Sequence, residues 1–298
     1  MNIAEKVQSY YENTNHALGG RLDVFREAVE NFGELRGSQA AAGMAYYAFF
    51  SLFPLMLVFV SVGSYFLEQE QVYREVISAV NRAIPVGYTL IDQNLQSVLE
   101  LRGRIGIIGL VTLLWSASGM FTTLAYNINL AWTQARRRNF IEKRLVAFAM
   151  IATLGSLLLL SFFVDAGFKV LANLNVPILG DIDIYDTSLW ALASNIAPWL
   201  IVFLLFLGMY WWVPTEDVRW RAALPTAALA ALAWQIATNA FSFYLTSGLG
   251  RYDIVYGSLG AVVALIFLIY ILSLITLFGA HLCASIDRWL TRRETQNR

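Results

Sequence analysis

The stretch 258–286 reads SLGAVVALIFLIYILSLITLFGAHLCASI, without a single Asp, Glu, Lys or Arg. A helix needs roughly 20 apolar residues to cross a hydrocarbon core about 30 Å thick, and this run exceeds that length. Five more uncharged runs precede it, at 40–67, 105–127, 145–164, 189–213 and 222–245. One such helix could hide inside a soluble globule, but six within 298 residues could not all be hidden. The composition points the same way, with 58% hydrophobic and only 14% charged residues. Soluble proteins carry about 25% charged residues. The sequence therefore predicts an all-α polytopic membrane protein with six transmembrane helices. The transmembrane domain covers 40–286, a segment of 1–39 precedes it and a charged tail of 287–298 follows.

Basic loops resist translocation, so the placement of Lys and Arg predicts orientation. With the N-terminus inside, 15 of the 21 basic residues fall in the cytoplasmic pieces. The sharpest cluster, Arg136, Arg137, Arg138, Lys143 and Arg144, puts the loop between the second and third spans inside. Both termini are then cytoplasmic, and the plasma membrane, in a bacterium the inner one, is the expected location. The net charge of zero becomes a difference between faces: 15 basic against 11 acidic residues inside, and 6 against 10 outside.

Two segments outside the runs carry helical periodicity. Leu22, Phe25, Val29 and Phe32 form a stripe with charges between them. It reads either as an interfacial helix on the cytoplasmic leaflet or as a helix packed against the cytoplasmic loops. In 68–104, Val72, Val76, Val80 and Ile84 repeat, break at Pro85-Val86-Gly87, and resume with Ile91, Leu95 and Val98. This predicts an extracytoplasmic helical hairpin between the first two spans.

Several soluble functions are excluded at once. A balanced charge lacks the basic bias of a nucleic-acid binder. A single cysteine, Cys283, allows no internal disulfide. The two histidines, His16 and His281, offer no metal-ligand spacing, and no phosphate loop or Ser/His/Asp set is present. The expectation is a non-enzyme without metal or cofactor and without a nucleic-acid partner.

Polar residues within the spans are then the informative ones, because hydrocarbon makes them costly. The first span carries Tyr46, Tyr47, Ser51 and Pro54, and Pro54 removes a helical hydrogen bond near mid-membrane, freeing the carbonyl of Phe50. The second carries Thr112, Ser116, Gly119 and Thr123 on one face, either a seam for close packing or a cavity lining. The fifth carries Gln235 and Asn239, which either bond neighbouring helices or face a filled cavity. Tyr46, Tyr47, Ser51, Pro54, Ser116, Gln235 and Asn239 are the candidates for a substrate path. Tyr210, Trp211, Trp212 and Trp220 read as an aromatic belt at the inner interface. His281 reads as a structural residue or a proton carrier.

Some of these words resemble a known family. The run from Ala40 through Gly43-Met44-Ala45-Tyr46-Tyr47 to Ser51-Leu52-Phe53-Pro54 resembles the opening span of the YihY/BrkB family of bacterial inner-membrane proteins. Leu114-Trp115-Ser116-Ala117-Ser118 is similar to its second-span signature, and Trp220-Arg221-Ala222-Ala223-Leu224-Pro225 to its fourth-to-fifth loop. Tyr256-Gly257-Ser258-Leu259 and Gly279-Ala280 resemble the ends of its sixth span. The likeness runs from about 20 to 287. It departs at His281, where the family often has Glu, and at Thr226, where Gly commonly follows the proline. The resemblance implies a six-helix bundle with both termini inside. Members are described as virulence factors, the family was once labelled a ribonuclease, and some relatives are linked to export of lipid A precursors.

Two functions follow as expectations. One is a transporter or flippase-like protein for an amphipathic or lipid-linked solute, with membrane lipids as its surroundings. The other is a non-transporting scaffold or envelope-assembly factor that uses 68–104 and 128–144 as surfaces.

Overall fold

The computed structural model describes Asn15 and residues 20–63, 107–173, 188–247 and 260–296. The expected hairpin at 68–104 lies outside the described residues. Among the described residues the chain forms seven helices and no strand. They are α1 (Arg21–Glu34), α2 (Gly37–Gly63), α3 (Ile107–Leu130), α4 (Phe140–Asn173), α5 (Ser188–Trp211), α6 (Trp220–Thr246) and α7 (Gly260–Gln296). Each of α2–α7 coincides with one of the uncharged runs. The shortest, at 24 residues, is about 36 Å long at 1.5 Å per residue. Among the described residues, Val262–Gln296 is the segment that is by length and composition fit to cross a membrane.

Helix ends differ from the runs where charged residues find local partners. The third long helix begins at Phe140 rather than Leu145 because Asn139 and Glu142 form a capping box. The Asn139 Oδ1 accepts the Glu142 N–H at 2.8 Å, and a Glu142 carboxylate oxygen accepts the Asn139 N–H at 3.3 Å. The last helix runs on to Gln296, through the expected tail. There Asp287, Thr291 and Glu294 recur on one face and grip Arg219. Pro54 lies inside α2, which continues through it to Gly63.

In space the long helices run in the order α4, α3, α2, α7, α6, α5, each packed against the next. The first and last long helices are thus central, and the two halves of the chain flank them. Ala45 and Ala48 of α2 pack on Leu265 and Ile269 of α7, small residues against large ones. The largest buried cluster joins α2, α3, α4, α5, α6 and α7 through residues such as Phe121, Ile128, Phe206 and Leu277.

The amphipathic segment forms α1, which packs along α7. Its buried residues are Val24 and Ala28, while Phe25 and Val29 of the expected stripe stay exposed. Phe25 and Phe32 both meet the Phe278 ring edge-on at 5.8 Å. The packing is against α7 rather than against the connecting loops, and it leaves an apolar face of α1 exposed. A two-residue turn follows, in which Arg36 adopts a left-handed φ of 53°.

Candidate functional site

Helix positions decide which of the predicted path residues are available. On α2, Tyr46 and Tyr47 are exposed, Pro54 is half-buried and Ser51 is buried. The Tyr46 ring lies 5.8 Å from that of Tyr47 and 4.7 Å from that of Phe50, making an aromatic surface one turn long. On α3, Ser116 is exposed, and the buried face is made instead by Ala117, Ser118, Phe121, Leu124 and Ala125. A Cβ built at Gly119 would meet nothing within 4 Å. The packing seam of α3 therefore runs one position away from the face predicted for it.

On α6, the Gln235 amide donates to the Asn239 Oδ1 at 3.2 Å, and Asn239 is exposed. Leu232, Ile236 and Phe243 are exposed on the same helix. The two carboxamides thus form a polar spot on an otherwise apolar, uncovered surface. Among the described residues, no hydrogen bond or ring contact joins Tyr46, Ser116 and Gln235.

The aromatic belt divides. Trp211, Trp212 and Trp220 are each more than half exposed, as an interfacial belt requires. Tyr210 is a correction to that reading, for it is 0% exposed, and its hydroxyl donates to the Thr276 carbonyl of α7 at 3.0 Å. Gly279 makes room for it: a Cβ there would collide with the Tyr210 ring. Two residues further along α7, His281 is buried edge-on against Phe32, at 5.6 Å between rings. Its Nδ1 finds no hydrogen-bond partner among the described residues.

One end of the bundle collects α1, the α3–α4 loop, the α5–α6 loop and the last turns of α7. Asn129, at the end of α3, is the pin of this junction. Its carbonyl oxygen accepts the Thr215 N–H at 2.8 Å, and its amide donates to the Arg136 carbonyl at 3.2 Å. Partners this far apart in sequence leave no local signal.

The five cations of the basic cluster have different fates. Arg136 forms a two-pronged ion pair with Glu142, at 3.1 and 3.2 Å. Arg144 folds back on α3, donates to Ser118 Oγ and the Trp115 carbonyl, and lies 4.2 Å above the Trp115 ring. Arg138 donates to the Val213 carbonyl. Its guanidinium pKa is lowered from the ordinary arginine value by burial, against an opposing pull from Glu142. Lys143 stands 5.4 Å from the centre of the Tyr126 ring. Arg137 is exposed.

Arg137, Arg138 and Lys143 line a cleft of about 520 Å³ together with Tyr126, Trp132 and Leu35. At the other side of the same end, the basic residues are matched by acids. Arg219 donates its backbone N–H to Asp287 at 3.2 Å and pairs with Glu294 at 3.1 Å. Arg288 pairs with Glu27 at 2.7 Å and also reaches the Ala131 carbonyl.

A family model described as "Virulence factor BrkB" matches residues 28–298. Among similar proteins, the ribonuclease-like protein YfkH of Bacillus subtilis is 22% identical over 90% of this chain and 96% of its own length. A UPF0761 membrane protein of Chromohalobacter salexigens is 28% identical over 91% of this chain and 64% of its own. Another UPF0761 membrane protein, from Aliivibrio salmonicida, is 27% identical over 84% of this chain and 80% of its own. No solved structure matches.

Proposed function

The chain belongs to the BrkB virulence-factor family of membrane proteins, and from that premise we propose that it is a non-enzymatic, flippase-like transporter of an amphipathic or lipid-linked solute. It crosses the bacterial inner membrane six times with both termini in the cytoplasm. Two facts support that topology. The segment holding α1, the two connecting loops and the end of α7 meet at one end of the bundle. The sequence places most of its basic residues in these same pieces.

The observation that carries the transport reading is the Gln235–Asn239 pair on an exposed face of α6. Each carboxamide has two donor hydrogens and an acceptor oxygen. Their mutual bond at 3.2 Å uses one donor and one acceptor. The remaining groups would be costly against lipid tails, so they call for a wet or headgroup-filled path. Exposed Tyr46 and Tyr47 on α2 add amphipathic rings that suit a passing headgroup.

Reconstitution into vesicles holding a fluorescent lipid tests this. The expected result is faster exchange between leaflets than in protein-free vesicles. The double variant Gln235→Leu/Asn239→Leu should slow it by about tenfold, the order expected for losing a charge-free polar contact or two. Exchange no faster than in empty vesicles, or a double variant as fast as the natural chain, would remove transport from the reading.

A further inference from the structure

We propose that the cleft between the α3–α4 loop and the α1–α2 turn is a binding site for the phosphate-bearing headgroup of a membrane amphiphile. This deepens the reading above by naming a ligand class, and rests on it for the ligand's being a membrane amphiphile.

The argument begins with unbalanced charge. Three cations, Arg137, Arg138 and Lys143, line one cleft, and no Asp or Glu is among its lining residues. The nearby carboxylate, Glu142, is committed twice over: it closes the capping box of α4 and holds Arg136. Arg138 is tethered through one nitrogen to the Val213 carbonyl, which neutralises nothing, and other N–H groups of its fork remain. Holding like charges together in a partly buried cleft is unfavourable unless an anion joins them. An arginine fork offers paired N–H groups that match phosphate geometry, and a lysine adds a mobile point charge.

The rest of the cleft selects against a bare ion. A volume of about 520 Å³ falls in the range of small-molecule sites and is far larger than one phosphate requires. Leu35, Tyr126 and Trp132 supply apolar and aromatic wall beside the cations. Trp132 also carries a buried indole N–H for which the described residues provide no acceptor. Charge beside apolar wall fits a molecule with an anionic head joined to a less polar stem. With α3 entering the membrane directly from this cleft, such a molecule would reach it from the cytoplasmic leaflet, where basic pockets between helices hold anionic headgroups.

The test uses the full chain in phosphatidylcholine nanodiscs, with and without phosphatidic acid, and reads retained lipid by native mass spectrometry. Phosphatidic acid should be retained over phosphatidylcholine, and Arg137→Gln/Lys143→Gln should weaken that preference by about tenfold or more. The charge-conserving Arg137→Lys/Lys143→Arg should keep most of it. Arg221→Gln, which removes an exposed cation at the same end but outside the cleft, should leave it unchanged. Equal loss in Arg221→Gln would mean diffuse surface attraction and would overturn the site, as would equal retention of the two lipids. Inorganic phosphate supplied in detergent is the second arm. If it binds as tightly as the lipid and is lost in the same double variant, the assignment to an amphiphile is overturned. Because retention is read at equilibrium, its failure is distinct from a failure of movement between leaflets.

Discussion

Two basic regions share one end of this bundle, and they have been put to opposite uses. Arg219 and Arg288 are spent internally. Each reaches across elements to a carboxylate, and each also bonds to backbone or hydroxyl groups. In the α3–α4 loop, Arg136 is paired in the same manner, but Arg137, Arg138 and Lys143 line a cleft that contains no acid. The two regions show that a count of positive residues near a membrane does not report one thing. The same residue type can act as a clamp between helices or as an invitation to an anion, and the neighbouring carboxylates decide which.

The contrast is broken most forcefully at the clamp. Asp287 is largely buried; its carboxylate accepts the Arg219 backbone N–H and stands 3.5 Å from the Arg219 guanidinium. Asp287→Ala leaves the Arg219 backbone donor without its acceptor and takes one of two carboxylates from the Arg219 guanidinium, Glu294 remaining. We expect it to cost about 2 kcal/mol of stability, visible as a clear fall in Tm in detergent, with no loss of headgroup preference. A variant that kept its Tm would show the clamp to be decorative.

Glu27→Gln comes next. Glu27 and Arg288 are each about a quarter exposed as side chains and meet at 2.7 Å, and Arg292 approaches the same oxygen at 3.5 Å. Solvent screens this pair more than the first, so about 1 kcal/mol is expected. The loss should concentrate in the docking of α1 on α7, read as faster hydrogen exchange in residues 21–34.

The smallest effect on stability belongs to the cleft. Arg137 is exposed and makes no ion pair among the described residues, so Arg137→Gln should change stability by no more than about 0.5 kcal/mol. Relieving repulsion among three cations could even raise the Tm slightly. Added salt sharpens the comparison. It should weaken headgroup retention by screening an open site, and leave the difference between the natural chain and Asp287→Ala almost unmoved. If Arg137→Gln proved as destabilising as Glu27→Gln, the two regions would not differ in kind.

The helices themselves were legible in the sequence, because an uncharged run of 20 or more residues has few other fates. The start of α4 was legible too, in the words Asn139-Phe140-Ile141-Glu142, although a search for uncharged runs passes over them. Tyr210 shows a limit of composition: three consecutive aromatics look like one belt, yet successive residues on a helix face about 100° apart, and Tyr210 turns inward while Trp211 and Trp212 turn out. The displaced seam of α3 has the same origin. Thr112, Ser116, Gly119 and Thr123 share a face, but Ala117 and Ser118 lie beside it and are equally small. The choice between them depends on which neighbour packs there. Asn129 and Thr215 lay beyond reach altogether, since the last turn of α3 and a loop 86 residues later meet through one carboxamide. Within the basic cluster, sequence could count five cations but not see that Glu142 would take one and Ser118 another.

The contact between Gly279 and the Tyr210 ring carries a mechanical meaning. With no Cβ on Gly279, the Tyr210 ring lies directly on the α7 backbone, and its hydroxyl is moored to the Thr276 carbonyl. Sliding along the helix axes would drive the ring into the adjoining turn, so the freedom left to this pair is rotation about the contact. It is a fulcrum set at the end of α5 and midway along α7. A tilt of about 10° there would swing the far end of α5, roughly 30 Å away, by about 5 Å.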